Sequence, residues 1–163
     1  PLGLVATDLN LSVVRPQDAR LGRVAKAAPG TETAARRLLA LMEAGLTPVM
    51  SSVGIDGEGQ LWNINADDVA LAVALLLKAP LIFLSDVRGV LNADKALIRE
   101  LTPHAAQKLI AEGIISGGMT VKVNAALAAA AATKAPVAVA SVFDETLTHC
   151  LLSGKLPGTV FAA

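Results

Sequence analysis

Short apolar runs of strand length alternate with longer segments of helical periodicity along most of this chain. Leu2 to Ala6 and Leu11 to Val14 read as strands separated by the polar Asp8 and Asn10. Arg15 to Gly30, with two prolines and four basic residues, reads as a connection that contains small strands. Thr31 or Thr33 caps a helix running to Ala44, with Leu38, Leu39, Leu41 and Met42 on its apolar side, and Gly45 stops it. Leu46 to Val53 is the next apolar run, and its strand portion, Pro48 to Val53, is followed by the turn Asp56-Gly57-Glu58-Gly59 and the strand Gln60 to Ile64. Asn65 is a good N-cap for Ala66 to Lys78, a helix so apolar that it is expected to lie deep inside, with Pro80 ending it.

Leu81 to Leu84 is apolar without alternation, which suits a parallel sheet covered on both faces. Thr102 and Pro103 open a helix to Glu112, and Gly117-Gly118 precedes another from about Met119 to Thr133. Pro136 to Val142 is a strand, Asp144 caps a helix from Glu145 to Leu152, and Gly158 to Phe161 closes the chain. This order predicts an α/β three-layer sandwich with a mostly parallel central sheet and helices on both faces. No repeat of fixed period interrupts it.

Composition narrows the class. Of 163 residues 53% are apolar and 17% charged, a globular balance with enough length for a real core. The longest apolar run, Val69 to Leu77, is far short of the ~20 residues needed to span a bilayer. With 14 basic and 14 acidic side chains the formal charge is zero, so neither nucleic acid nor an anionic membrane is expected as partner. Cys150 is the only cysteine, which excludes an intrachain disulfide and fits a reducing, cytoplasmic setting. No basic-then-apolar leader precedes the first strand. The start at Pro1 without methionine reads as a piece of a longer protein, or as simple removal of the first residue.

In open α/β sheets ligands bind where strands end and helices begin. The stretch Asn63-Ile64-Asn65-Ala66-Asp67-Asp68 is one such place. Alternation puts Asn63 opposite Trp62 and Ile64, while Asn65 and the acids serve either a ligand or simply the helix start and its dipole. Ser85 to Leu91 follows a strand: Asp86 can bond a ribose hydroxyl or orient the loop, and Gly89 permits close backbone approach, although an ordinary tight turn has the same composition. Gly113 to Lys122 carries a glycine pair before a helix, where amides can face an anion and the Lys122 ammonium lies about one turn on. A flexible link with a solvated lysine is the bland alternative there. Ser51-Ser52-Val53-Gly54 leaves room at a strand end but carries no catalytic signal of its own.

Other chemistries are poorly supported. Neither G-x-x-x-x-G-K-[ST] nor G-x-G-x-x-G occurs, which excludes the ordinary P-loop and counts against a dinucleotide dehydrogenase. His104 and His149 lack neighbouring ligands for zinc, and Cys150 reads as core and not as a nucleophile. Without tyrosine, and with only Trp62, Phe83, Phe143 and Phe161 as aromatics, stacking on single-stranded nucleic acid is not expected.

Pro48 to Gly54, Gly59 to Asp67, Leu84 to Leu91, Gly113 to Val123 and Gly158-Thr159, in this order and spacing, resemble the acetylglutamate kinases of the amino-acid kinase family. The likeness runs over essentially the whole chain. It implies transfer of the γ-phosphoryl group of ATP, with Mg2+ carried by the nucleotide, to the side-chain carboxylate of N-acetyl-L-glutamate in arginine synthesis. By resemblance Asn63 holds acetylglutamate, Asp67 orients catalytic lysines, and Lys122 stabilises charge on the phosphoryl group. Asp86, Val87, Arg88, Gly89, Val90, Leu91, Ile114, Ile115 and Ser116 would line the ATP site. No protein-held metal is implied, and the full-length enzyme is expected to be a homodimer.

The physics of the reaction agrees with these roles. A carboxylate attacking phosphorus needs no base, so the protein must hold two anions together and neutralise the charge between them. Full members of the family begin with a lysine-bearing strand and glycine-rich loops that this sequence does not contain. Residues 1–163 are therefore expected to be the ATP-binding C-terminal domain, weakly active or inactive in isolation.

Overall fold

The computed structural model describes residues 1–5, 8, 15–16, 20, 22–27 and 30–161; the expected strand Leu11 to Val14 lies outside them. The chain forms two compact units, Pro1–Ala79 and Pro80–Ala163.

In the first unit β1 (Leu2–Leu4) pairs in parallel with β4 (Pro48–Met50). A second sheet has the order β2 (Arg15–Pro16), β3 (Val24–Lys26), β6 (Leu61–Ile64), β5 (Val53–Ile55). The run expected as one strand, Pro48 to Val53, is thus two. At the break the Ser51 amide donates to the Leu4 carbonyl and the Ser52 carbonyl accepts from the Ile64 amide, each at 2.9 Å, so the chain leaves one sheet and joins the other. Met50 packs into both apolar clusters of the unit, one built on Ala25, Ile64 and Val69, the other on Ala34 and Leu38.

Local chemistry explains the helix limits. In α1 (Glu32–Glu43) the Thr31 hydroxyl accepts from the Ala34 amide at 3.3 Å, which selects Thr31 over Thr33 as cap. Gly45 at φ 80° ends it in a paired turn, its amide donating to Met42 and the Leu46 amide to Leu41. Leu38 is buried, but Leu39 and Met42 face solvent, so the apolar side is narrower than the sequence suggests. In α2 (Ala66–Leu77) the Asn65 Oδ1 accepts from the Asp67 amide at 2.8 Å. Lys78, in the left-handed conformation, ends that helix two residues before Pro80. The expectation of a deeply buried α2 holds only in part: Val69, Ala72 and Ala74 are buried, and the other residues from Val69 to Leu77 are half-buried, Val73, Leu76 and Leu77 packing against the Ala34–Leu38 cluster.

The β5–β6 turn is closed by Asp56. Its Oδ2 accepts from the Trp62 indole at 2.7 Å, and Oδ1 accepts from the amides of Glu58 and Gln60 at 2.9 Å each. These bonds, that from Trp62 first, hold the carboxyl below its ordinary 3.8. A carboxylate depressed on folding stabilises fully above its unfolded value, and the contribution is lost as pH falls through the lower folded value. Trp62 is the only tryptophan, so its fluorescence should report an acid transition with a midpoint below 3.8 that Asp56→Asn lacks. A titration that is the same in both proteins would contradict the assignment.

The second unit has one sheet in the order β7 (Leu81–Ser85), β9 (Val137–Ser141), β10 (Thr159–Phe161), β8 (Glu100–Leu101). β7 and β9 run parallel from Leu81↔Val137 to Ser85↔Ser141, β10 is antiparallel to β9, and β8 is parallel to β10. Every residue of β9 is buried, whereas Leu84 in β7 is exposed. β9 has a strand on each side within this sheet and β7 stands at its end, so the burial expected for Leu81 to Leu84 is found only in part.

α4 (Gly117–Thr133) lies on β9 and β10, and α3 (Pro103–Ala111) lies against α4. Val123, Ala126, Ala130 and Thr133 form a buried stripe whose small side chains let the α4 backbone approach the sheet. α5 (Leu147–Leu152) starts later than expected. Asp144 folds a turn instead, its carboxylate accepting from the Thr146 hydroxyl and amide at 2.7 and 2.9 Å. No residue of α5 is buried and Cys150 is half-buried, so the core position expected for the thiol is not found.

Among the described residues four of seven strand pairings are parallel, giving the mixed α/β, mostly parallel architecture that the sequence predicts. None of the described helices is long and apolar enough to cross a membrane.

Candidate functional site

A cleft of about 370 Å³ in the second unit is bordered by Val87 to Leu91, directly after β7, and by Ile114 to Ser116 with Met119. All the residues expected on the ATP side border this one cleft except Asp86, whose carboxylate stands 3.7 Å from the Lys122 ammonium. Two stretches more than twenty residues apart in sequence therefore border one cleft.

The first stretch is held by a residue near the end of the chain. Thr159 is fully buried; its Oγ1 accepts from the Val90 amide at 2.8 Å and donates to the Ile98 carbonyl at 2.6 Å. Ile98 in turn donates to the Val90 carbonyl at 2.8 Å, and Leu91 pairs with Leu97. The chain from Val90 to Ile98 is thus a hairpin-like loop closed at its base by this backbone bond and by the Thr159 hydroxyl. Gly89, at φ 135°, makes this approach possible: a Cβ there would lie 2.6 Å from the Thr159 Oγ1 and 2.8 Å from the Leu97 Cδ1.

A helix end sets the second stretch. Gly113, at φ 73°, closes α3 with its amide bonded to Ile110 and the amides of Ile114 and Ile115 both bonded to Leu109. That turn buries Ile115 and leaves Ser116 exposed just before α4. The Ser116 side chain makes no capping bond, and although the Met119 amide donates to the Ser116 carbonyl at 3.2 Å, the Gly117 and Gly118 amides are left for solvent or an anion. α4 begins at Gly117 and not near Met119, which places Lys122 in the second helical turn, with 39% of its side chain exposed.

Arg88 brings positive charge to the cleft border and acts on Asp144. The Thr146 hydroxyl foremost, then its amide, and also the positive charges of Arg88 and Arg99, hold the Asp144 carboxyl below its ordinary 3.8. Among the described residues no group of three His, Cys, Asp or Glu side chains could hold a metal ion. A divalent cation at such a cleft would arrive on the phosphates it accompanies.

Asn63 and Asp67 lie in the first unit. Asn63 is exposed on β6, its amide bonded to the Arg23 carbonyl at 2.9 Å, and its neighbour Ile64 is buried, as the alternation predicts. Asp67 is exposed in the first turn of α2, where its charge complements the helix dipole. Sequence reasoning gave no site role to Met119 or Thr159, although both lie in stretches that carry the resemblance, and it took Asp144 only as a helix cap.

Residues 3–141 match the amino acid kinase family. Acetylglutamate kinases of Yersinia pestis (strain Pestoides F) and Yersinia pseudotuberculosis serotype O:3 (strain YPIII) are each 47% identical over 158 residues, covering 97% of this chain and 60% of theirs. The chain therefore spans about 60% of the length of these curated relatives. Among solved structures, smu.665 from Streptococcus mutans UA159 has a TM-score of 0.71 at 28% identity, over 99% of this chain and 60% of that one. N-acetylglutamate synthase from Neisseria gonorrhoeae, complexed with coenzyme A and N-acetyl-glutamate, shares the fold with a TM-score of 0.77 at 22% identity, over 94% of this chain and 37% of the synthase. Most of the sequence matches one family and nearly half of its residues are identical in the Yersinia kinases; this chain belongs to the amino acid kinase family.

Proposed function

We propose that the chain is the nucleotide-binding part of an acetylglutamate kinase, which transfers the γ-phosphoryl group of magnesium-bound ATP to the side-chain carboxylate of N-acetyl-L-glutamate. The observation that carries this reading is the single cleft bordered by Val87 to Leu91 and Ile114 to Ser116 beside an uncapped helix start. Its volume of about 370 Å³ is within the ~300–1,000 Å³ usual for small-molecule sites. Apolar Val87, Val90, Leu91, Ile114, Ile115 and Met119 suit a base, while Arg88 and the α4 amides suit phosphates.

In this reading Lys122 neutralises charge that develops on the phosphoryl group, and the acceptor carboxylate attacks without a protein base. Asn63 holds acetylglutamate and Asp67 has the orienting role that the resemblance gives it. Magnesium would come with the nucleotide and offset the negative charge of its phosphates. The enzyme works in the cytoplasm in arginine synthesis, as a homodimer, with neither nucleic acid nor membrane as partner, and residues 1–163 form its ATP-binding C-terminal domain.

Calorimetry tests the nucleotide half. Magnesium-ATP titrated into this chain should give saturable heat at micromolar to millimolar ligand, on the order of ordinary substrate affinities. No heat at millimolar ATP would count against the reading and favour a folded module without nucleotide. With the full-length protein, acyl phosphate should form with acetylglutamate in preference to aspartate, glutamate or aminoadipate derivatives; a different preference would move the assignment to a sister kinase. The chain alone should turn over poorly.

A further inference from the structure

Asp86 and Lys122 come from the two segments that border the cleft. Asp86 directly precedes Val87, and Lys122 lies about one helical turn beyond Met119. Their charged atoms are 3.7 Å apart, so an ion pair links the loop after β7 to α4 at the cleft. The Asp86 side chain is 81% exposed, and the pair stands beside the cleft: neither Asp86 nor Lys122 borders it directly. A pair this open to water adds little to folding. Its effect is on direction: a lysine is a compact charge on a flexible stem, and packing does not fix one that is 39% exposed.

We infer that Asp86 is a positioning residue for Lys122, holding the ammonium beside the cleft where a transferring phosphoryl group would pass, and that it does not bind the nucleotide ribose. This rests on the kinase reading of the cleft. A bare carboxylate beside a triphosphate would oppose binding, whereas one neutralised by an ammonium has little net effect on the bound ground state. The aim of the ammonium matters most when charge moves onto the phosphoryl group, so the role belongs to turnover and not to ATP affinity. The same pair connects both borders of the cleft, which a ribose contact alone would not require.

The test is steady-state kinetics on the full-length protein with ATP and 2′-deoxy-ATP. It compares wild type, Asp86→Asn, Asp86→Glu, Lys122→Ala and the Asn/Ala double variant. Asp86→Asn should lower kcat about tenfold with KM for ATP unchanged within about twofold, and Asp86→Glu should recover part of the loss. In the Lys122→Ala background the Asn substitution should add nothing, because its effect passes through the ammonium. The inference is overturned if Asp86→Asn raises KM with kcat kept and 2′-deoxy-ATP erases the difference, since Asp86 would then bind the ribose. Losses that multiply in the double variant overturn it as well. Wild type that binds no ATP at all would remove the cleft reading together with this role, whereas the ribose outcome removes only the role.

Discussion

Gly158→Ala should be among the most damaging single substitutions in the second unit, lowering stability by about 3 kcal/mol or more. Two effects add. Gly158 sits at φ 68°, where a residue with a Cβ loses roughly 1–2 kcal/mol. The added methyl would also press on the Val139 carbonyl oxygen and lie 2.8 Å from the Ala140 Cα, both in the backbone of a strand buried at every position. Backbone in the middle of a sheet cannot move aside as a side-chain tip can, and overpacking of this kind costs about 1–3 kcal/mol. Thermal denaturation should show Tm falling by about 6–12 °C for a chain of this size. Gly154→Ala is the control: φ there is 70°, but nothing lies within 4 Å of the new Cβ, so only the conformational cost remains. Equal losses in the two variants would show that the contact with β9 is not what limits Gly158.

Lys122→Ala should have the opposite profile, a large loss of turnover in a protein that folds normally. Removing a group that neutralises transition-state charge typically reduces kcat by about 10²–10³-fold. The folded state loses only an exposed pair with Asp86, worth at most about 1 kcal/mol. Acyl-phosphate formation by the full-length protein and melting of the same sample must be read together. A lysine with a purely structural role would lower Tm and leave kcat per folded molecule intact, which would remove Lys122 from the proposed chemistry.

Much of the fold was legible because local signals decide it. Thr31, Asn65 and Thr102 each bond an amide in the first turn that follows, and Gly45 and Gly113 close helices in the manner their sequence positions predict. Burial was less legible, being set by neighbours in the sheet and not by composition. Leu81 to Ser85 and Val137 to Ser141 are both apolar, yet only the strand with partners on both sides is wholly buried. In α2, almost wholly apolar after Asp67 and Asp68, hydropathy likewise overstates the depth of burial, since most of Val69 to Leu77 is half-buried.

The candidate site shows the same division. Val87 to Leu91 and Ile114 to Ser116 could be named from glycine placement and resemblance, because each is a contiguous loop. Thr159 could not be given its role, since its partners Val90 and Ile98 are 69 and 61 residues away in sequence. Asp86 was grouped with the loop it introduces, but the direction of its side chain depends on where α4 brings Lys122.

The place of β10 has a consequence for synthesis of the chain. In chain order it follows the other described strands of its unit, yet it inserts between β9 and β8 and supplies the hydroxyl that helps fasten the loop from Val90 to Ile98. While the ribosome still holds these residues in its tunnel, β8 has no partner in its sheet, and the Val90 amide and Ile98 carbonyl lack the hydroxyl that joins them. The nucleotide cleft is therefore among the last parts of the unit to mature, and a nascent chain released before Thr159 would carry every residue that borders the cleft without the bond that shapes it.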